Sequence, residues 1–106
     1  MESEDRPISE EYRIIAKKWV DADSAASLRE ETKSAFYSQL MLEHANMPVN
    51  RAEITVKASS QWQEFVADMV QARKDANLLK VQLKYIEMKF YEWQSHNATK
   101  RAEMKL

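Results

Sequence analysis

Residues 62–93, WQEFVADMVQARKDANLLKVQLKYIEMKFYEW, carry an apolar or small residue at every third or fourth position. We call these ten positions the seam: Trp62, Phe65, Met69, Ala72, Ala76, Leu79, Leu83, Ile86, Phe90 and Trp93. The spacing is typical of an α-helix that buries one stripe against another helix. It predicts a long helix in an all-α protein, so another part of the chain has to cover this stripe.

The composition of the 106-residue chain is compatible with one helical domain. The chain has no glycine, although average usage would give about seven, so glycine-dependent phosphate-binding loops are excluded. No run approaches the roughly 18 apolar residues that indicate a transmembrane helix. Cysteine is absent and the acidic N-terminus has no apolar signal-peptide core, so we expect a cytoplasmic protein, in the host cell if the chain is phage-encoded.

The first helix is predicted from the residues that follow the first proline. Pro7 precedes Ser9, which is a good N-cap, and two glutamates follow in the first turn, where negative charge suits the helix dipole. We therefore expect residues 1–8 to be a flexible N-terminal segment and helix one to span about residues 9–46.

The second proline predicts the reversal of the chain. Pro48 cannot donate a backbone hydrogen bond and disfavours helix in the residue before it, so we expect a turn at residues 47–50. Asn50 and Glu53 have the spacing of a capping box. Helix two is then predicted to be long and to span about residues 50–105.

A longer connector is the alternative. The β-branched run Ile54-Thr55-Val56 lowers helix propensity. Ser60 and Gln63 form a second possible capping box. In this alternative the connector extends to residue 59, and the pattern alone leaves residues 51–59 as either helix or connector.

A tight reversal at Val49 pairs residues whose numbers add up to about 98. Large residues then meet near both ends, in the pairs Ile8–Phe90, Trp19–Leu79 and Phe36–Trp62, and small ones meet in the middle, in the pairs Ala22–Ala76 and Ala26–Ala72. The alanines would let the helices approach more closely than the usual 8–10 Å or so. We therefore predict an antiparallel, coiled-coil-like two-helix hairpin.

The register places basic residues at two positions of the first helix that should be apolar. A strict heptad would put Arg29 and Lys33 inside. We expect the stripe to slip instead to Leu28 and Thr32, opposite Val70 and Val66, because a straight helix drifts against a 3.5-residue repeat.

Two helices alone bury only a thin core, and this chain has more apolar residues than they need. Positions off the seam include Tyr37, Met41, Leu42, Leu78, Val81, Tyr85, Met88 and Tyr91. We therefore predict a homo-oligomer in which the hairpins share a core of packing residues: Trp19, Phe36, Trp62, Leu79, Leu83, Ile86, Phe90 and Trp93. The pattern does not determine the number of subunits.

Motifs for catalysis or metal binding are absent from the sequence. The two histidines, His44 and His96, are far apart, and no metal-binding spacing such as HExxH surrounds either one. No serine has a histidine in an inferable catalytic geometry. We expect no enzyme activity, no catalytic residues, no metal and no cofactor.

The charge distribution suggests two interpretations. Residues 1–31 have nine acidic and five basic side chains, whereas residues 71–106 have four acidic and eight basic ones. The imbalance can reflect two antiparallel helices of complementary charge, or a basic end that binds a polyanion. Bases track phosphates and exposed tyrosines stack on nucleobases, which makes the candidate nucleic-acid residues Arg73, Lys80, Lys84, Lys89, Lys100, Arg101, Tyr85 and Tyr91.

A scatter of small, aromatic and basic positions gives the chain a family resemblance. The matching residues are Arg51-Ala-Glu53, Val56-Lys-Ala-Ser59, Trp62, Asn77-Leu-Leu-Lys80, Phe90, Trp93-Gln94 and Ala98-Thr-Lys-Arg101-Ala-Glu103. Over residues 12–104 the chain resembles small phage-encoded helical proteins similar to the phage recombination mediators, which load a strand-exchange recombinase onto single-stranded DNA. The resemblance implies a helical hairpin as the oligomerisation core and basic residues that contact the DNA.

Two functions follow as hypotheses. In the first, the chain is a phage-type accessory protein of DNA recombination or replication, an oligomer that binds single-stranded DNA and a recombinase. In the second, it is a structural or adaptor module whose spare apolar face docks another protein without nucleic acid. Binding to a membrane surface is less favoured, because Glu87 and Glu92 interrupt the basic stripe.

Overall fold

The computed structural model describes residues 7–105, which form three α-helices. They are α1 (Ile8–Leu42), α2 (Val49–Ala58) and α3 (Ser60–Lys105). No strand occurs among these residues, so the predicted all-α class is confirmed. The described part of the chain is elongated, with extents of 84 × 24 × 17 Å. Most of the segment predicted to be flexible, residues 1–6, lies outside the described residues.

Helix α1 begins and ends at positions that differ from the prediction. Pro7 is the N-cap residue, and its carbonyl accepts the amides of Glu10 and Glu11 at 3.1 and 3.0 Å. Ser9 therefore lies inside the first turn rather than at the cap. At the other end α1 stops at Leu42, four residues before residue 46.

The chain reverses between α1 and α2 without glycine. The amides of Glu43, His44 and Ala45 each bond to the carbonyl three residues earlier, at 3.0–3.3 Å, which tightens the end of the helix. No described residue has a positive φ. The reversal therefore needs only conformations that ordinary residues adopt, which is consistent with a chain that contains no glycine.

The predicted continuous helix two is wrong, because the chain breaks at Ser59. This residue is extended, with φ −71° and ψ 147°, and its hydroxyl accepts the amide of Trp62 at 3.2 Å, which caps α3. The alternative prediction placed the cap one residue later, at Ser60. Residues 49–58 are nevertheless helical, with Pro48 at the N-cap position, so Asn50 does not cap this helix.

The two long helices pack against each other in opposite directions. Lys89 lies 3.6 Å from the carboxylate of Glu11, and at the other end Phe36 stacks on Trp62 with ring centroids 6.4 Å apart. Low numbers in α1 thus lie beside high numbers in α3, close to the register that the sequence predicts. Phe36 also stacks on Phe65, at 4.7 Å, and these rings form the packed end next to the reversal.

The core follows the seam for most of its length but not at its end. The buried residues of the described chain are Ala26, Leu40, Ala52, Val56, Ala76, Leu83 and Ile86. Trp19, Phe36, Trp62 and Leu79 are half-buried. Phe90 and Trp93 were predicted to pack in the core, yet 39% and 54% of their surface is exposed. The reason is that α1 begins at Ile8, beside Phe90, so α3 extends past the start of its partner.

The predicted slip of the first helix is also wrong. Leu28 and Val70 are exposed, by 63% and 58%, and Thr32 is exposed as well. Lys33 is exposed too, and its ammonium lies 5.9 Å from the ring centroid of Trp62. A lysine stem can cover an aromatic ring while its charge stays in water, so the basic residue is tolerated there.

Candidate functional site

Arg73 lies at the centre of a polar cluster that joins α1 to α3. Its Nη1 donates to Asp23 Oδ1 at 2.6 Å, and its Nε and Nη2 donate to the two carboxylate oxygens of Glu30 at 2.9 and 2.8 Å. Nη2 also donates to the hydroxyl of Ser27 at 3.2 Å. Residues 23, 27 and 30 are spaced by four and three, so all three side chains lie on one side of α1.

This cluster changes the acid–base properties of its members. Hydrogen bonds from Arg73 lower the pKa of Glu30, and hydrogen bonds to Glu30 and then Asp23 raise the pKa of Arg73. A planar guanidinium that binds one carboxylate with two donors is held in a defined orientation. Arg73 was predicted to contact nucleic acid. In the structure its guanidinium is bonded to Asp23, Ser27 and Glu30 of α1, and its contact with nucleic acid stays a prediction.

The lowered pKa of Glu30 predicts a pH-dependent contribution to stability. A carboxylate whose pKa is lower in the folded than in the unfolded chain contributes its full stabilisation at pH values above the ordinary pKa of 4.5. This stabilisation is lost as the pH falls through the pKa of the folded state. We therefore expect Glu30→Gln to lower the Tm at pH 7 and to have progressively less effect below pH 4.5.

The matched control for Glu30→Gln is Glu31→Gln, which removes a neighbouring exposed carboxylate that has no bond to Arg73. Thermal unfolding followed by circular dichroism at several pH values compares the two variants at one protein concentration. An equal loss of Tm in both variants at pH 7 would contradict the role assigned to the Arg73–Glu30 contact.

Three of the predicted nucleic-acid residues form an accessible basic face on α3. Lys80, Lys84 and Tyr91 are spaced by four and seven residues, which places them on one side of the helix. The Lys84 side chain is 78% exposed and lies 3.9 Å from Glu87, and Tyr91 is 66% exposed. These groups are open to a ligand along the flank of the helix pair.

The C-terminal part of α3 carries further aromatic and basic groups, which lie around the helix beyond this face. An open groove there is lined by Tyr91, Trp93, Gln94, Ser95, Asn97, Ala98 and Arg101. Trp93 stacks on Phe90 with centroids 6.2 Å apart, and Lys100 and Arg101 are exposed. The structure thus brings together Tyr91 and Arg101, two of the predicted residues, and adds Trp93.

Trp93 was assigned to the core because it continues the seam. A signal for its exposure was present in the predicted register, since Phe90 already pairs with Ile8 at the start of the first helix. A seam residue one turn further reaches only the first residues of that helix: Trp93 lines a groove with Pro7, Ile8 and Ser9, and 54% of its surface stays exposed. Periodicity alone does not reveal this, because it describes one helix and not the length of the helix that covers it.

The remaining two predicted residues, Tyr85 and Lys89, are one turn apart and lie on another side of α3 from Lys80, Lys84 and Tyr91. Lys89 is 40% exposed and lies between Glu11 of α1 and the ring of Tyr85, whose centroid is 5.7 Å from its ammonium. Tyr85 belongs to a second apolar row with Leu78, Val81 and Met88, which we call the outer row. Each member of the outer row is 56–66% exposed.

The outer row lies opposite the seam. Residues 81, 85 and 88 each follow a seam residue by two positions, which turns them by about 200° around a helix with 3.6 residues per turn. Helix α1 covers the seam, so the outer row faces away from α1. Helix α3 therefore has one covered and one uncovered apolar stripe.

Within residues 7–105 no group of three or more histidine, aspartate or glutamate side chains is arranged to hold a metal ion. None of the described helices is both long and apolar enough to cross a membrane. Comparison with protein-family models, with curated proteins and with solved structures finds no match to this chain.

Proposed function

We propose that this chain is a non-enzymatic accessory protein of DNA recombination or replication that binds single-stranded DNA along the C-terminal half of α3. The observation that carries the proposal is the open groove that the exposed residues Tyr91 and Trp93 line together with Arg101. Aromatic rings stack on unpaired bases and a neighbouring cation contacts the phosphate chain. Helix α1 leaves this part of α3 uncovered, so a strand has access to it.

The basic face extends this groove towards the centre of the molecule. Lys80 and Arg101 are 21 residues apart, or about 32 Å along a helix at 1.5 Å per residue. Lys84 lies between them on the exposed flank, whereas Lys100, nine residues after Tyr91, lies about 180° around the helix from that ring. A strand of several nucleotides can follow such a flank, because non-specific binding relies on charge and stacking rather than on a deep pocket.

The proposed protein is a helical hairpin that assembles into a homo-oligomer, acts in the cytoplasm and recruits a strand-exchange recombinase to the bound strand. The resemblance to the phage recombination mediators supports the recombinase as partner. The uncovered outer row supports assembly, because a contiguous exposed apolar patch marks an interaction site.

The test is fluorescence anisotropy with a labelled single-stranded oligonucleotide. We expect binding at about 50 mM salt that weakens steeply with added salt, as electrostatic binding requires. A triple variant, Lys84→Glu with Lys100→Glu and Arg101→Glu, should bind at least about tenfold more weakly and with a shallower salt dependence. Trp93→Ala should reduce affinity by about tenfold, the effect of one lost stacked base.

The control for charge is Lys17→Glu with Lys18→Glu, which reverses two exposed lysines on α1, away from the groove. This variant should bind almost as tightly as the natural chain. The absence of binding by the natural chain at about 50 mM salt rejects the proposal, because electrostatic affinity is greatest at low salt.

The second candidate function, an adaptor that docks a partner protein, is favoured by the outer row. Four apolar side chains at helical spacing can pack into a groove of another protein. Removing residues 94–106 separates the two functions. Loss of DNA binding with an intact oligomer supports the first function, whereas loss of the oligomer supports the second.

A further inference from the structure

A charged residue lies at each end of the outer row, and these two charges restrict which surface can pack against it. Lys74 precedes Leu78 by four residues and Glu92 follows Met88 by four, so both charged residues continue the row at its two ends. Both are exposed, and neither has an ion pair within the described chain. The uncovered stripe thus has a basic end, an apolar middle and an acidic end.

The order of these residues is self-complementary when it is reversed. Placing a second copy antiparallel, with the symmetry axis level with residue 83, puts Lys74 opposite Glu92, Leu78 opposite Met88 and Val81 opposite Tyr85. Every apolar residue then meets an apolar residue and each base meets an acid. A twofold interface requires this property, because both partners contribute the same surface.

We propose that two copies of this chain form an antiparallel twofold dimer through the outer row of α3. The pairing joins Leu78 to Met88 and Val81 to Tyr85, with a Lys74–Glu92 ion pair at each end. This inference rests on the oligomer contained in the proposed function and specifies its interface, but it does not depend on DNA binding.

Charge complementarity favours this arrangement over a parallel dimer. A parallel pairing in register would place Lys74 beside Lys74 and Glu92 beside Glu92, and like charges at such positions oppose assembly. In the antiparallel pairing each Lys74 instead faces a Glu92, so the contacts at both ends are attractive. The spacing of the row, four, three, four, three and four from Lys74 to Glu92, is the heptad spacing of two packed helices.

The interface is compatible with the rest of the fold. Because the seam lies on the other side of α3, each copy keeps its α1, and the dimer stacks the helices in the order α1, α3, α3 and α1. The apolar contact runs from Leu78 to Met88, about 15 Å, and with the charged residues at both ends the interface extends over about 27 Å. Tyr85 is assigned to this interface rather than to stacking on DNA, whereas Tyr91 lies on a different side of α3.

Cross-linking tests the direction and register of the dimer. The chain has no cysteine, so Leu78→Cys and Met88→Cys each introduce a single thiol. One variant carries a mass tag, and a short bismaleimide is added to each variant alone and to their mixture. We expect a cross-link between residue 78 of one variant and residue 88 of the other in the mixture. Either variant alone should give several-fold less product, because identical positions lie about 15 Å apart along the axis in the antiparallel dimer.

Charge reversal tests the two ends of the interface. Lys74→Glu and Glu92→Lys should each weaken dimerisation about tenfold in sedimentation experiments, since each makes two like-charged contacts. The double variant should recover the natural affinity, and a mixture of the two single variants should form heterodimers. A parallel dimer shows no such rescue, because both the natural chain and the double variant keep like charges together.

Substitution of the apolar centre tests the outer row itself. Leu78→Glu should weaken dimerisation by about a hundredfold, because it buries a charge in an apolar contact. Leu28→Glu on α1 is the matched control, since Leu28 is exposed by 63% and Leu78 by 59%. Both variants should retain the natural helical circular dichroism.

The outcomes separate this inference from the proposed function. Efficient cross-linking of Leu78→Cys with itself, or equal loss of the dimer in both glutamate variants, would overturn the proposed interface. A dimer with the expected cross-link but without anisotropy change on DNA supports the interface and rejects the DNA-binding function. DNA binding by a chain that stays monomeric at all concentrations tested overturns the interface alone.

Discussion

Ile86→Ala is expected to lower the free energy of unfolding by about 2–5 kcal/mol. Ile86 is only 2% exposed and lies in the seam, where α1 covers it. The substitution removes three carbon atoms and leaves a cavity that two long helices cannot easily close, because neighbouring seam residues hold them at a fixed separation. Chemical denaturation followed by circular dichroism at one protein concentration measures the change.

The control is Ile54→Ala in α2, where the isoleucine is 70% exposed. The same atoms are removed, but few of them are buried, so the change should stay within about 0.5 kcal/mol. Similar losses in the two variants would contradict the assignment of the seam as the core.

Ala76→Leu is the second substitution with a large expected effect, about 1–3 kcal/mol of destabilisation. Ala76 and Ala26 are both fully buried, at 0% exposure. Arg73, one turn before Ala76, is bonded to Asp23, so the two helices are close at this level. A leucine at residue 76 has to push them apart, which also strains the polar cluster of Arg73.

The measurement for Ala76→Leu is the midpoint and free energy of denaturant unfolding. Ala35→Leu provides the control, because Ala35 is exposed on α1 and leucine forms helix almost as well as alanine. If Ala76→Leu is as stable as the natural chain, the two helices are not closely packed at the alanines.

The packing of α1 against α3 was largely predictable from the spacing of apolar residues. Leu83 and Ile86 are buried, and Phe36 contacts Trp62, as the seam and the register predict. A helical repeat can be recognised in a sequence because residues three and four apart necessarily share one side of the helix. The uncovered outer row is predictable in the same way, since its members have the same spacing.

The ends of the helices were less predictable. The spacing of Ser60 and Gln63 predicted a cap at Ser60, yet in the structure the hydroxyl of Ser59 accepts the amide of Trp62. Trp93 continues the seam perfectly, but its exposure depends on where α1 begins. Such features depend on backbone conformation and on the lengths of two different helices, which a local pattern does not contain.

Arg73 shows most clearly what only the tertiary structure decided. The sequence by itself determined that the chain is helical and which stripe of α3 is apolar, because both follow from neighbours within two turns. It also placed Arg73 on a basic side of the helix. The partners that bind this arginine, Asp23 and Glu30, are 50 and 43 residues away. Contacts at that separation exist only once the helices have packed, so the fold determined that this cation joins two helices while Arg101 stays free of α1.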